Sequence, residues 1–265
     1  MPYLALSQQI NLYYLDENLS GQETALLLHG LGADSTSWQL QIPALASAGF
    51  RVLAPDSPGF GRSSPLGSRL RCVRDLTAFI PEFLSLLSIS AAHIIGISMG
   101  GTQALQLALD WPKQIKKLVL VNTYARLDFS NPRLWPYYLL RWALIHTFGL
   151  PAQARAVAKR IFPKTEQEEL RRMLIAQILQ VQPAYYRAAM HALAGFNVSQ
   201  RLCEVVAPTL IVTAEEDTTV PPSVQRMLVE RIPNARQVVI PHAGHAVSVE
   251  QPEQFNQILL DFLLE

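Results

Sequence analysis

Cysteine is nearly absent from this 265-residue chain. Cys72 and Cys203 make no C-x-x-C pair and no disulfide framework, which excludes a disulfide-stapled scaffold and makes a reducing compartment the expectation. Charge is scarce too, at 16% of residues with a formal net charge of +1. A molecule without electrostatic bias is not built for nucleic acid or a membrane surface. The most apolar stretch of residues 124–199, residues 137–150, is broken by Arg141 and too short to span a bilayer. The first residues, Met1 to Ser7, have neither a basic leader nor a long apolar core, so they do not read as a signal peptide. These absences give the expectation of a soluble, cytoplasmic protein with no nucleic-acid or membrane partner. What the chain has in quantity is hydrophobic residues, 49% of the total. That is enough for one large α/β domain or two small ones, and too much for a disordered chain.

Strand-like and helix-like patterns alternate through most of the chain. Residues 3–6 and 10–15 read as an opening hairpin. A continuous apolar run at 24–28 is the mark of a strand buried on both faces of a parallel sheet, and 50–54, 92–97, 115–121, 209–212 and 237–240 read as further strands. Helical periodicity follows most of them: Trp38, Ile42 and Leu45 after a cap at Asp34 or Ser35, then 70–87, 102–111, 223–231 and 252–264. Pro81 should kink or restart the helix it falls in. From residue 124 to 199 the alternation stops and only helical pattern remains, with 11 of the 22 aromatic residues in 76 positions. Helices so rich in aromatics must pack on something, so the expectation is a lid inserted into a core formed by 1–123 and 200–265. The alternative is an ordinary helical half of the core.

The chemistry centres on Gly96-Ile97-Ser98-Met99-Gly100, where an apolar strand turns sharply into a helix. Such a turn can hold a serine out as a nucleophile, provided the residues two positions away are small, as Gly96 and Gly100 are. The helix start aims free N–H groups at it, the Met99 N–H among them. A serine needs a base, and the base needs an orienting group. In an open parallel sheet ligands gather beyond the carboxyl ends of strands. The serine turn, His29-Gly30, the Asp56 loop, the acidic run Glu215-Glu216-Asp217 and the His242/His245 loop all fall there. His93 falls at the opposite end and reads as structural, and His146 and His191 lie in the lid. Between His242 and His245, the second follows Gly244, which leaves room to deliver a ring; His242 reads as a partly buried loop residue. Glu215, Glu216 and Asp217 all remain candidates for the acid at this point.

With these motifs in order, the sequence resembles the α/β-hydrolase family, in its compact lactonase and esterase branch of 3-oxoadipate enol-lactonase-like hydrolases. Five segments carry the resemblance: the serine turn, His29-Gly30-Leu31-Gly32, the loop from Asp56 to Ser63, Glu216-Asp217-Thr218-Thr219-Val220-Pro221, and Gly244-His245 followed by Glu250-Gln251-Pro252. Only the lid is weakly matched. The resemblance implies an α/β-hydrolase fold: a mostly parallel eight-stranded sheet covered by helices on both faces, with an inserted helical cap. It implies Ser98 as nucleophile, His245 as base and Asp217 as orienting acid, with Leu31 and Met99 N–H groups as an oxyanion hole worth about 3 kcal/mol per donor. Gly30, Trp135, Tyr138 and Val220 are the expected pocket residues. No cofactor and no metal is implied. Aspartate at the elbow would point to a dehalogenase or epoxide hydrolase, and serine stands there instead. Asn122 occupies a place where some relatives keep an alternative acid, and receives no acid role. Ala214 and Pro81 depart from the family pattern, which puts loop shape in question.

The expected substrate is a small ester or lactone, an anionic one included, for a monomer or homodimer. Residues 124–199 carry ten Lys or Arg against four Asp or Glu, a net of +6 where the whole chain is +1. A basic lid could hold an anion; the blander reading puts these charges on outward helix faces. The same scaffold also admits a carbon–carbon bond hydrolase or lyase, an acyltransferase, a cofactor-free haloperoxidase, or a ligand-binding receptor.

Overall fold

The computed structural model describes residues 3–7, 9–127, 132 and 135–265. Met1 and Pro2 of the N-terminal reading, and Asp128, Phe129 and Arg133 of the lid counts, lie outside the described residues.

Eight strands, β1 (Tyr3–Ala5), β2 (Asn11–Glu17), β3 (Glu23–Leu28), β4 (Phe50–Pro55), β5 (Ala92–Ile97), β6 (Ile115–Val121), β7 (Thr209–Ala214) and β8 (Ala235–Ile240), form one sheet in the order β1-β2-β4-β3-β5-β6-β7-β8. β1 and β2 are the expected hairpin, and β2 is antiparallel to β4; all other pairs are parallel. The central strands are apolar on both sides because both faces of the sheet are covered. Along β6, Leu118 and Leu120 pack into one cluster while Val119 and Val121 pack into the other, the period of two that a strand imposes.

One face carries α1 (Ile42–Ser47), whose Ile42 and Leu45 pack with Phe255 and Leu259 of the closing helix. The other carries α2 (Val73–Thr77), α3 (Phe79–Leu86) and α4 (Met99–Asp110). The break between α2 and α3 is the effect of Pro81. Without an N–H it cannot bond the Thr77 carbonyl four residues back, so one helix ends at Thr77 and another starts with the proline in its first turn.

Between β6 and β7 come α5 (Trp135–Ala143), a π-helical turn (Leu144–Phe148), α6 (Gly149–Ile161), α7 (Glu168–Gln180) and α8 (Pro183–Ala194). Where the chain leaves and rejoins the sheet, Arg126 and Asn197 form an isolated antiparallel bridge. The chain closes with α9 (Pro222–Arg231), a short α10 (Val247–Glu250) and α11 (Pro252–Leu264). Among the described residues no helix is long and apolar enough to cross a membrane.

Candidate active site

Strand β5 ends at Ile97 and α4 begins at Met99, so Ser98 alone makes the turn. Its backbone, at φ 54° and ψ −113°, lies where a residue with a side chain is strained by roughly 1–3 kcal/mol. Neighbouring hydrogen bonds hold it there. The Ser98 N–H donates to Val121 O at 2.9 Å, and its carbonyl accepts from Thr123 Oγ1 at 2.8 Å and Thr102 N at 3.1 Å. A Cβ on Gly96 would stand 2.2 Å from Gly100 O, and one on Gly100 1.9 Å from Leu28 O. Only glycine fits at either position.

The turn delivers Ser98 to the wall of two cavities, of about 460 Å³ and about 160 Å³. Leu31 borders both, and Met99 borders the larger. Among the described residues neither the Leu31 nor the Met99 N–H donates to a protein acceptor. The loop holding Leu31 is braced from behind. The buried His29 ring accepts from Ser57 N at Nε2 (2.9 Å), so its proton sits on Nδ1, 2.9 Å from Gly30 O. Buried Asp56 accepts from Ser35 N (2.7 Å) and Arg62 N (2.8 Å), tying the two loops together. Gly32, at φ 81°, faces Ile178 and Tyr186 of the helical segment, with no space for a Cβ.

The smaller cavity is also bordered by His245, buried on the loop after β8. Its Nδ1 is 2.8 Å from Asp217 Oδ2. The other carboxylate oxygen of Asp217 accepts from the N–H groups of Thr219 (2.7 Å) and Val220 (2.9 Å). Those bonds fix the carboxylate, and the carboxylate fixes the ring with its Nδ1 protonated and Nε2 left as the basic nitrogen. Glu215 and Glu216, the competing acids, are exposed. Among the described residues no hydrogen bond closes between Ser98 Oγ and the imidazole; such contacts are commonly long before substrate arrives.

Two residues that sequence reasoning left without a task hold this loop. Asn122, at φ 44°, donates from Nδ2 to the carbonyls of His245 (2.9 Å) and Gly244 (3.3 Å) and accepts from Ala214 N at Oδ1 (2.9 Å). It joins the end of β7 to the histidine loop. The Glu250 carboxylate accepts from Gly244 N (3.3 Å), Ala246 N (3.2 Å) and Gln167 Nε2 (3.3 Å). Burial pushes its pKa up, partly offset by those bonds.

One histidine expectation is corrected. His242 is exposed, with 82% of its side chain accessible, rather than partly buried. Its left-handed backbone (φ 56°) turns the ring outward toward Glu216 at 3.6 Å. His93 lies at the amino end of the sheet, buried against Glu23 at 2.7 Å. His146 and His191 stand in the wall of the larger cavity with ring centres 5.4 Å apart. Of the expected pocket residues, Trp135, Tyr138 and Val220 border the larger cavity and Gly30 the smaller. Of the described Lys and Arg residues between β6 and β7, only Arg141 borders either cavity. Arg171 and Arg172 pair with Glu168 and Glu169 on α7, and Arg155, Lys159 and Lys164 are exposed. Among the described residues no cluster of three or more His, Cys, Asp or Glu could hold a metal ion.

A hydroxyl on a strained turn, an imidazole oriented by a buried carboxylate and unspent amides form an arrangement that can carry nucleophilic attack on a carbonyl. Comparisons with known proteins show the family and the class of activity. The Alpha/beta hydrolase family matches residues 25–258. A Variovorax paradoxus protein named "Putative carbamate hydrolase RutD" is 32% identical, over 95% of this chain and 96% of that one. The 2-hydroxy-6-oxononadienedioate/2-hydroxy-6-oxononatrienedioate hydrolase of Paraburkholderia phymatum is 30% identical, over 96% of this chain and 91% of that one. The crystal structure of the enol-lactonase from Burkholderia xenovorans LB400 superposes with a TM-score of 0.88, at 27% identity and full coverage of both chains. On these grounds the chain belongs to the alpha/beta hydrolase family and is a hydrolytic enzyme.

Proposed function

We propose that the protein is a serine hydrolase that cleaves a small carboxylic ester or lactone through an acyl-enzyme. One observation carries this reading: Ser98 is held in a strained turn at the wall of the cavity that also receives His245, whose ring is bonded to buried Asp217. In the first step Ser98 Oγ attacks the carbonyl carbon and His245 Nε2 takes its proton. Asp217 stabilises the imidazolium that results. The carbonyl oxygen, now an anion, accepts from the amides of Leu31 and Met99. As the tetrahedral species collapses, His245 returns the proton to the leaving alcohol. Water then attacks the acyl-serine with His245 again as base, which frees the acid and restores the hydroxyl.

Residues 124–199 act as a cap in this reading, since Trp135, Tyr138, Arg141 and His146 line the same cavity as Ser98. A cytoplasmic setting is consistent with two free, exposed cysteines. The relatives named for carbamate hydrolysis favour a second reading, in which the same groups attack a carbamate carbonyl and nitrogen leaves.

The test is pre-steady-state hydrolysis of p-nitrophenyl butyrate. A stoichiometric burst of p-nitrophenol followed by a slower steady rate is expected, and Ser98→Ala abolishes both. A burst that survives in Ser98→Ala overturns the assignment.

A further inference from the structure

Ser98 stands where two cavities meet, and the cavities differ in what else they hold. His245 borders the smaller, of about 160 Å³, together with its neighbours Ala246, Ser248 and Val249; none of these borders the larger, of about 460 Å³. Met99 borders only the larger, and Leu31 borders both. Attack at a carbonyl carbon gives a tetrahedral centre with four substituents: Ser98 Oγ, the oxyanion, the leaving oxygen and the acyl chain. The amides of Leu31 and Met99 take the oxyanion. An alkoxide leaves only with a proton, and His245 Nε2 is its source, so the leaving oxygen must lie within hydrogen-bond reach of that nitrogen. That direction is the smaller cavity. The acyl chain, the one substituent left, has only the larger cavity to enter.

The walls agree with this division in size and chemistry. At about 30 Å³ per water-sized group, the smaller cavity seats about five groups and the larger about fifteen. Tyr124, Trp135, Tyr138, Trp142, Met190 and Leu193 line the larger cavity. Among the described residues no Asp or Glu borders either cavity. Arg141 already donates to Tyr137 Oη at 3.2 Å and Tyr186 Oη at 3.4 Å, and His146 Nδ1 is committed to Trp142 O at 2.8 Å. Such a wall takes up apolar surface. Resting on the serine-hydrolase reading above, we infer that the larger cavity receives the acyl chain and the smaller one the alcohol. The substrate class is an open-chain ester of a long aliphatic or aryl-bearing carboxylic acid with a short alcohol. A small lactone keeps both ends in one ring and cannot send them into separate cavities. A p-nitrophenyl ester escapes the size limit on the alcohol side, because its phenolate leaves without a proton from His245.

Methyl octanoate and heptyl acetate are isomers that carry the long chain on opposite sides of the carbonyl. Their kcat/KM ratio, from acid release in a pH-stat, therefore reads the assignment at matched hydrophobicity. The wild type favours methyl octanoate by at least about tenfold. Ala194, at the end of α8, is exposed and borders only the larger cavity. Ala194→Trp lowers the ratio to within about threefold of one, through a loss on methyl octanoate. Met173, on α7, is exposed and borders only the smaller cavity. Met173→Ala lowers the ratio by at least about threefold, through a gain on heptyl acetate. Arg155→Gln, at an exposed site away from both cavities, keeps the wild-type ratio. A smaller wild-type ratio, or the reverse preference, overturns the inference, while the turnover itself upholds the hydrolase reading. A ratio unmoved in Ala194→Trp also overturns it. Turnover of neither ester, with Ser98 still labelled by a fluorophosphonate, overturns the inference alone; the same silence with no label brings down the hydrolase reading as well. The wild-type ratio decides the question without relying on the folding of any variant.

Discussion

Around Ser98 the sheet core is held by its backbone: a methyl group on Gly100 would lie 1.9 Å from the Leu28 carbonyl oxygen, an atom that cannot swing aside. The helices between β6 and β7 hold to the core through side chains. Tyr185 Oη donates to Pro58 O at 2.6 Å, Gln177 Nε2 donates to Thr36 Oγ1 (3.0 Å) and Asp34 Oδ1 (3.2 Å), and Arg160 reaches the Thr218 carbonyl. Large apolar residues of this segment also stay open to solvent or to the cavity, among them Trp135, Leu139, Trp142 and Phe148. A site whose reacting groups are set by backbone tolerates little change, whereas one lined by the ends of side chains can be reshaped. Under the proposed reading the contrast separates two tasks: chemistry fixed by the sheet core, and selection exercised by the helical segment.

The strongest way to break this contrast is Gly100→Ala. A Cβ driven into main chain should cost about 3 kcal/mol or more, near the upper end of overpacking effects, read as a fall in the urea midpoint. A neutral result would mean that the elbow is looser than its contacts imply. Asn122→Ala comes next. It removes the bonds to the Gly244 and His245 carbonyls and strands the buried Ala214 N–H. The expected loss is about 1–3 kcal/mol of stability and about tenfold in kcat/KM through a misplaced base. Activity within twofold of wild type would deny Asn122 a positioning role.

These two substitutions also mark what the sequence made legible. The strands are readable because a sheet buried on both faces demands unbroken apolar runs, as in Leu118 to Val121. The serine turn is readable because two glycines flank it at the required spacing. Asn122 gave no such signal: its partners stand 92 and 123 positions away, and only sheet order brings β6, β7 and the histidine loop together. Arg141 was one cation among ten, and which way a helix turns its side chains is decided by packing. The exposure of His242 follows from a left-handed backbone that no local pattern announces.

On the helical side, Tyr185→Phe removes one buried hydrogen bond to Pro58 O. It should cost about 1 kcal/mol and change kcat/KM by less than about threefold. A loss as large as that of Gly100→Ala would erase the difference between the two regions. Smallest of all is Glu23→Gln, at the amino end of the sheet, far from both cavities. Hydrogen bonds from Lys116 and then His93 hold the Glu23 carboxyl down to about 2 from its ordinary 4.5. A depressed carboxylate adds stability that is fully present above its unfolded pKa and is lost as pH falls through the folded one. Because Glu23 is partly exposed, screening keeps the effect small. Glu23→Gln should lower Tm by no more than about 2 °C at pH 7, with the difference vanishing as pH falls from about 4.5 toward 2 and activity unaffected. A gap that widens toward low pH would reverse the assigned sign.

The central claim is that Ser98, and no other serine, is an activated nucleophile facing the cavity. Reaction of the native protein with a fluorophosphonate probe, followed by peptide mapping, tests it most directly. One stoichiometric adduct on Ser98, absent from Ser98→Ala, is the predicted result; an adduct on a different residue, or none at neutral pH, contradicts the account.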